Sequence, residues 1–262
     1  MLADETGGRL TISDQNITVN SAGTISVDTA NDLAATTSGT ITASITTTET
    51  VDELQTLTGT GNAYTIVIAD GDKTGSTATE FSAINGKTTA AIDASAVTGL
   101  ASDTIDNIKT LLIAGNDTNQ FTSDSFSILD AVTVSDTTLD GSELAAAIDQ
   151  ANSATGNTST VFTITAADTI TGSGTDFDNL LTDETAGNID ITDQALSVST
   201  SITVDQANSL MAATTGIVTA TIVSTETLTE LGTLTDPGGQ NNELTITIRS
   251  EDATAGTAAD LN

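Results

Sequence analysis

Hydrophobic and polar residues alternate in short segments along the chain, the pattern of a strand with one apolar and one polar face. Seven such segments are TITASI from Thr40, YTIVI from Tyr64, TTAAI from Thr88, AVTV from Ala131, VFTIT from Val161, IVTATI from Ile217 and LTITI from Leu244. A polar stretch and a short run that contains Leu follow, as in VDELQTL from Val51 and SELAAAI from Ser142. Ser, Asp or Thr before these runs favours a helix cap, and Gly after them favours a turn. The predicted repeat is a strand, a loop, and a short helix or helical turn.

A longer duplication contains these short repeats. Residues 40–58 and 217–235 align 177 positions apart and share 11 identical residues. The match extends over two related blocks, 10–72 and 189–251, with small displacements of the kind that surface loops tolerate. The middle of the chain, 101–127, departs from the pattern and is interpreted as an inserted or degenerate repeat. We expect one continuous array over 1–262. The polar caps that terminal repeats of such arrays need are missing, so we interpret the chain as a fragment of a longer protein.

Repeats of this kind cannot bury an apolar face alone, whereas stacked repeats close a continuous core and pair each strand with the next. Their spacing of about 22 to 31 residues is typical of stacked-repeat proteins. With 2% aromatic residues and no Trp, the core is expected to be thin and aliphatic. The sequence therefore predicts a mainly β fold, a repetitive parallel β-solenoid with one strand plus a short helix or helical turn per rung. Tandem β-sandwich domains are the alternative, because they also show alternating strands.

Charge narrows the range of partners. The chain carries a net charge of −31 from 36 acidic and 5 basic residues. This excludes the basic footprint that nucleic-acid binding requires and disfavours attraction to anionic lipid. No run reaches the roughly 18 apolar residues of a membrane-spanning helix, so membrane insertion is not expected. The acidic residues are interpreted as a solvated coat that keeps a β surface from pairing edge to edge.

Enzyme chemistry has few residues to draw on. His and Cys are absent from the sequence. Their absence excludes Ser-His-Asp triads, cysteine nucleophiles and zinc sites built on Cys or His. We expect no enzymatic activity and assign no catalytic or organic cofactor-binding residue.

Calcium is the one cofactor that the sequence suggests, because it prefers carboxylate and carbonyl oxygens in turns. The candidate ligands are acidic residues near Gly or Asn, or near one another: Asp70, Asp72, Asp117, Asp136 and Asp140. Neither the EF-hand spacing nor the glycine-rich nonapeptide of calcium-binding β-rolls occurs. Asp is also an ordinary turn residue, so solvated turn carboxylates are the alternative.

Several phrases carry a resemblance to a known group of proteins. AATTG at 212–216, TLTGTGNAY at 56–64, GKTT at 86–89 and AADLN at 258–262 resemble the Thr-rich, acidic tandem repeats of giant surface proteins of marine bacteria, notably cyanobacteria. Similar repeats occur in some of their phages. The resemblance implies an extracellular or cell-surface location and no catalytic residues.

The function expected from this resemblance is a structural repeat segment of a surface protein, as a spacer, stalk or adhesin array. A phage fibre or self-assembling filament subunit is one alternative, and a calcium- or glycan-binding module is another. The expected partners are neighbouring repeats of the same parent chain or copies of itself, with cell-surface glycans as a further candidate.

Overall fold

A computed structural model describes residues 11–20, 23–69, 72, 74–153, 160–165, 167, 169–236, 239–250 and 252. It shows an α/β fold with parallel sheets, about 34% helix and 23% strand. The chain divides into two compact bodies. One comprises Met1–Thr133 and Asp149–Thr160, and the other comprises Val134–Ile148 and Val161–Asn262.

The described residues form twelve strands. These are β1 (Ile17–Thr18), β2 (Thr24–Ile25), β3 (Ile41–Ile45), β4 (Ala63–Thr65), β5 (Gly99–Asp103), β6 (Ala131–Val134), β7 (Thr138–Asp140), β8 (Val161–Ile164), β9 (Thr169–Gly172), β10 (Ala195–Ile202), β11 (Val218–Ile222) and β12 (Glu243–Thr245).

Eight helices lie between them within the described part of the chain. These are α1 (Val27–Thr36), α2 (Val51–Gln55), α3 (Ala78–Asn85), α4 (Ile105–Gly115), α5 (Gly141–Ser153), α6 (Gly174–Ala186), α7 (Val204–Ala213) and α8 (Leu228–Leu231). We call a strand together with the helix that follows it a strand–helix unit.

In the first body, β3 is the central strand of a four-stranded sheet. β1 and β2 pair in parallel with successive parts of β3, and β4 pairs with β3 on residues 42–44. Along β3 the buried residues alternate with more exposed ones, so that Ile41, Ala43 and Ile45 face the core. This is the period-two pattern that the sequence predicts for this segment.

In the second body, five parallel strands follow the order β12-β11-β10-β9-β7. β10 pairs with β11 along one edge and with β9 along the other, and its register with β11 shifts between Ser197 and Ser201. Val218, Ala220 and Ile222 of β11 face the core, as do their counterparts in β3. The two blocks therefore place equivalent residues of the duplication on equivalent strands.

The prediction of a mainly β solenoid is wrong, because helix exceeds strand and the parallel strands form several sheets. The sandwich alternative is wrong as well, since the strand pairings of the four-stranded and five-stranded sheets are all parallel and sandwich sheets are antiparallel. The physical reason is the role of Thr, which we interpreted as a strand former. Many Thr and Ser hydroxyls instead accept backbone N–H groups as helix N-caps: Ser26, Thr50, Thr77, Thr104, Ser173, Thr203 and Thr227.

Aromatic side chains contribute more to the core than the sequence suggests. Tyr64 and all five Phe residues are buried. The Phe126 ring lies 5.7 Å from the Phe81 ring and 5.2 Å from the Phe121 ring, centroid to centroid. Two of these residues belong to the segment 101–127, which also contains α4. That segment thus combines an 11-residue helix with part of an aromatic cluster.

Candidate functional site at the contacts between strand–helix units

Side-chain hydrogen bonds cap the helix N-termini within a unit. At α2, the Thr50 hydroxyl accepts the Glu53 N–H at 3.2 Å, and the Glu53 carboxylate accepts the Thr50 N–H at 2.7 Å. At α8, Thr227 and Glu230 repeat this capping box at 3.2 and 2.6 Å. Each box satisfies two donors that the helix itself leaves unpaired.

A carboxylate from the following unit caps the preceding helix as well. The Val27 N–H at the start of α1 donates to Glu49 Oε1 at 3.2 Å. The Val204 N–H at the start of α7 donates to Glu226 Oε1, also at 3.2 Å. Glu49 and Glu226 are counterparts in the two blocks, 177 positions apart. A negative charge at a helix N-terminus is favoured by the helix dipole, so these acidic residues join one unit to the next.

An Asn side chain on the first helix of each block clamps the next unit. Asn31 Nδ2 donates to the Thr56 carbonyl at 3.1 Å, and Asn31 Oδ1 accepts the Thr58 N–H at 2.7 Å. In the second block, Asn208 makes the same two bonds to Thr233 and Thr235, at 3.0 and 2.9 Å. A single amide thus joins a helix to the loop of the next unit through two hydrogen bonds, and does so in both blocks. We call this arrangement the Asn clamp.

The turn after the first helix of each block brings two backbones into close contact. Thr37 Oγ1 donates to the Gln15 carbonyl at 2.7 Å and accepts the Gly39 N–H at 3.0 Å. In the second block, Thr214 Oγ1 donates to the Gln194 carbonyl at 2.5 Å and accepts the N–H of the following Gly at 2.9 Å. A Cβ at Gly39 would overlap the Gln15 carbonyl group, so this position requires glycine for steric reasons.

Asn side chains also accept a hydrogen bond from the first backbone N–H of a strand. The Ile41 N–H at the start of β3 donates to Asn62 Oδ1 at 2.9 Å, and Asn62 is buried. The Val218 N–H at the start of β11 donates to Asn242 Oδ1 at 2.8 Å. Each Asn belongs to the unit after the strand that it caps, so this bond also crosses between units.

Asp103, which lies between the two blocks in the sequence, also caps the helix of the preceding unit, and it does so from a buried position. Asp103 accepts the Thr79 N–H at 2.7 Å, the Thr79 hydroxyl at 2.8 Å, the Thr104 N–H at 2.8 Å and Asn107 Nδ2 at 2.8 Å. Burial acts to raise the pKa of Asp103, but these hydrogen bonds to the charged form outweigh burial and hold the pKa below its usual value.

The pKa values of two exposed capping carboxylates are lowered as well. Hydrogen bonds from the backbone and then the hydroxyl of Thr50 lower the pKa of Glu53, and those of Thr227 lower the pKa of Glu230. Glu184 is the opposite case, because burial raises its pKa despite a hydrogen bond from the Ile191 N–H.

Two of the described calcium candidates accept backbone N–H groups at separate helix N-termini. Asp72 accepts the Val51 N–H at 2.8 Å and so caps α2. Asp140 accepts the Ser142 N–H at 2.8 Å at the start of α5. Among the described residues, no three acidic side chains form a group that could hold a metal ion.

The other candidates occupy separate turns. Asp117 accepts the Asn119 N–H at 3.0 Å and Gln120 Nε2 at 2.9 Å, and these bonds, the one from Gln120 foremost, lower its pKa. Asp136 lies between β6 and β7. Asp70 lies outside the described residues. Calcium binding stays a prediction.

Sequence reasoning missed the capping boxes, although a local signal for them exists. Ser or Thr followed three residues later by Glu, Asp or Gln is the capping-box pattern. It occurs at Thr77 before α3 and at Thr203 before α7, two helices that were not predicted from the sequence. The carboxylates that act from the next unit carry no local signal, since their partners lie 21 to 24 residues away.

No protein-family model matches the chain, and comparisons with curated proteins and with solved structures give no significant match. Within the described part of the chain, no helix is both long and apolar enough to cross a lipid bilayer.

Proposed function

We propose that the chain is a structural repeat segment of an extracellular or cell-surface protein, where it acts as a spacer, stalk or part of an adhesin array. The observation that carries this proposal is the reuse of one set of contacts between units. Three contacts recur 177 positions apart with nearly equal hydrogen-bond lengths: the Asn clamp, the Glu cap (Glu49 and Glu226) and the Thr turn (Thr37 and Thr214).

These contacts suit a load-bearing role because they join each unit to the next along the chain. A buried strand contact resists separation mainly through apolar area, whereas the clamps add directional hydrogen bonds at the surface. Each net hydrogen bond contributes about 1 kcal/mol, so a clamp of two bonds adds about 2 kcal/mol to one junction. The acidic residues that form many of these bonds also keep the surface strongly negative, which favours solubility.

Single-molecule stretching tests the structural role. The chain is held between handles at its two ends, and the force at which each block unfolds is recorded. We expect two cooperative unfolding events, each weakened when its own Asn clamp is removed by Asn31→Ala or Asn208→Ala. Asn20→Ala serves as the matched control, because Asn20 is exposed and its backbone carbonyl makes its contact with Gly23. A featureless extension without force peaks would refute a load-bearing function.

A calcium-binding module is the alternative that a melting experiment separates most directly. Ligand that binds the folded state raises the midpoint, so removal of bound calcium by a chelator should lower it. The structural proposal expects the same midpoint with chelator as with millimolar calcium. A shift that Asp72→Asn abolishes would favour a calcium site at the start of α2 instead.

The surface location rests on the resemblance of the repeat phrases, and protease treatment of intact cells tests it. We expect peptides of this chain in the released fraction before any cytoplasmic marker appears. Their absence until the cells are lysed would refute the location and leave the structural role to be tested by stretching. A source in purified virions would favour the phage-fibre alternative.

A further inference from the structure

The two blocks differ in the loop that leads to the Asn at the start of the central strand. In the first block, residues 59–61 lie between the Asn clamp and Asn62. In the second block, residues 236–241 lie between the clamp and Asn242, so this loop is three residues longer. We call residues 59–61 the short loop and residues 236–241 the long loop.

The long loop places a Gln side chain between two polar groups of its own block. Gln240 Nε2 donates to the Thr214 carbonyl at 2.7 Å. Asn242 Nδ2 donates to Gln240 Oε1 at 3.3 Å and to Asp236 Oδ1 at 3.1 Å. A single carboxamide thus accepts a hydrogen bond from the Asn and donates one to the carbonyl of the Thr turn.

The short loop leaves the counterparts of these two groups without a partner. Asn62 is 3% exposed, and its Oδ1 accepts the Ile41 N–H, so Nδ2 is the end of the amide that remains to be paired. Among the described residues, neither Asn62 Nδ2 nor the Thr37 carbonyl has a hydrogen-bond partner. A buried amide is normally hydrogen-bonded, so an unpaired donor at this position indicates that something else binds it.

A cavity of about 560 Å³ lies at these two groups. It is lined by residues 34–39, by Gly59 and Thr60 of the short loop, and by Ser13 and Asn62. None of these lining residues is charged, although the chain carries a net charge of −31. A Cβ at Gly59 would lie 2.8 Å from Asn62 Nδ2, so the amide lies against the loop that lines the cavity. The volume is within the range of small-molecule sites, about 300 to 1,000 Å³.

The chain before the block does not pair these groups in the second block. Residues 180–188 correspond to residues 1–9 and are all described. They make no hydrogen bond to the Thr214 carbonyl or to the Asn242 amide. The partners come from the long loop itself, so the length of the loop determines whether the pair is satisfied within the block.

We propose that the first block binds a neutral saccharide in this cavity, with neighbouring hydroxyls bonded to Asn62 Nδ2 and to the Thr37 carbonyl. A hydroxyl can both accept and donate, so two of them supply what the Gln240 carboxamide supplies in the second block. A carboxylate has no donor for the carbonyl, an ammonium group has no acceptor for the amide, and an apolar group leaves both unpaired. This inference adds a ligand to the proposed structural role and does not depend on it.

Saturation-transfer NMR of the full chain tests the proposal with glucose, galactose and mannose as separate probes. We expect transfer to at least one of these sugars. Asn62→Asp keeps an oxygen for the Ile41 N–H but removes the Nδ2 donor, and it should weaken binding at least about tenfold. Asn242→Asp makes the same change in the second block and is the matched control, which should bind the sugar as the wild type does. Circular dichroism establishes that both variants are folded.

Exchange of the two loops tests the site without a change at Asn62. Replacement of residues 59–61 by the sequence of 236–241 gives the first block its own Gln, and we expect sugar binding to be lost. The reverse replacement, of 236–241 by the sequence of 59–61, should add a second site, because it empties the equivalent position. Calorimetry measures the stoichiometry of both variants. Undiminished binding by the first of them would overturn the proposal.

Two further results bear on other occupants of the cavity. If the sugar bound only after removal of residues 1–10, the chain itself would fill the cavity and the proposal would fall. A wild-type chain that shows no transfer to any of the three sugars would overturn it as well. Stretching keeps this outcome separate from the structural role, because a chain that binds no sugar and still gives two unfolding events loses the saccharide site alone.

Discussion

The two blocks share the Asn clamp, the Glu cap of the first helix and the Thr turn, yet they bury their last strands differently. The Asn31 and Asn208 clamps agree within about 0.2 Å in both bond lengths. By contrast, Ile66 is buried and Ile246 is not. The hydrogen bonds depend on residues inside the block, which the duplication preserves. Burial of the last strand in the first block depends on the segment around Asp93, which lies outside the block 10–72. Contacts within a block are thus properties of its sequence, and closure of its end is a property of its neighbour.

The largest expected effect comes from breaking the close turn in either block. In Gly39→Ala the new Cβ meets the Gln15 carbonyl, and in Gly216→Ala it meets the Gln194 carbonyl. Backbone must move in both cases, and we expect a loss of about 3 kcal/mol in the free energy of unfolding. Denaturant unfolding measures the loss, and hydrogen exchange identifies the block that opens.

Gly75→Ala is the control for this pair, because a Cβ there meets no atom within 4 Å. It should change stability by less than about 0.5 kcal/mol. If either Gly39→Ala or Gly216→Ala were as mild as this control, the close approach of the two backbones would not be required in that block.

A smaller effect is expected from removal of the Asn clamps. Asn31→Ala and Asn208→Ala each eliminate an amide that bonds two backbone groups of the next unit. Because these backbone groups are exposed and water can replace the amide, we expect a loss of about 1 to 2 kcal/mol in each variant. Equal losses of stability would show that the two clamps are equivalent. A loss confined to Asn31→Ala would show that the clamp stabilises a block only when the last strand of that block is buried. Thermal unfolding of both variants beside Asn20→Ala makes the comparison.

The sequence predicts the strands of these blocks better than the helices. Alternation in TITASI and IVTATI corresponds to β3 and β11, because one face of each strand is buried. It fails in TTAAI from Thr88, where the described structure has only an isolated bridge at Ile92. α1 and α7 were missed because their apolar residues are few and Thr was counted towards strands. Their hydroxyl caps at Ser26 and Thr203 were the available signal.

The inter-unit contacts were beyond sequence reasoning for a physical reason. A carboxylate beside a turn has the same local sequence whether it binds an ion, faces solvent or caps a distant helix. Asp72 was interpreted as a calcium candidate, yet it accepts the Val51 N–H, 21 residues earlier in the chain. Only the pairing of parallel strands brings these groups together, so their partners are determined by the fold.

Removal of the Tyr64 hydroxyl is expected to raise the stability of the first block modestly, and the second block has no such hydroxyl to remove. Its hydroxyl is buried without a hydrogen-bond partner in the described structure, and the second block has Leu244 at the equivalent position. Tyr64→Phe removes the unpaired group and keeps the ring, so we expect an increase of up to about 1 kcal/mol in the free energy of unfolding. Burial also raises the pKa of Tyr64. Wild-type stability should therefore fall as the pH rises above about 10, the ordinary tyrosine value, and that part of the fall should vanish in Tyr64→Phe. A destabilised variant would mean that the hydroxyl has a partner.

The smallest expected effect is a change in the acid sensitivity of the two capping boxes. The pKa values of Glu53 and Glu230 are lowered in the folded state by hydrogen bonds from Thr50 and Thr227. A lowered folded pKa stabilises the fold above the unfolded pKa of about 4.3, and this contribution is lost as the pH falls through the folded pKa. Glu53→Gln and Glu230→Gln should flatten the decline in melting temperature between neutral pH and pH of about 3, because a neutral amide keeps the cap without titrating.

Gln206, which caps α7 in this way, shows that the chain accepts the substitution. Since both boxes are exposed, the two variants should flatten the curve equally. A flattening in one block alone would mean that the cap of the other contributes nothing to acid stability, despite its matching geometry.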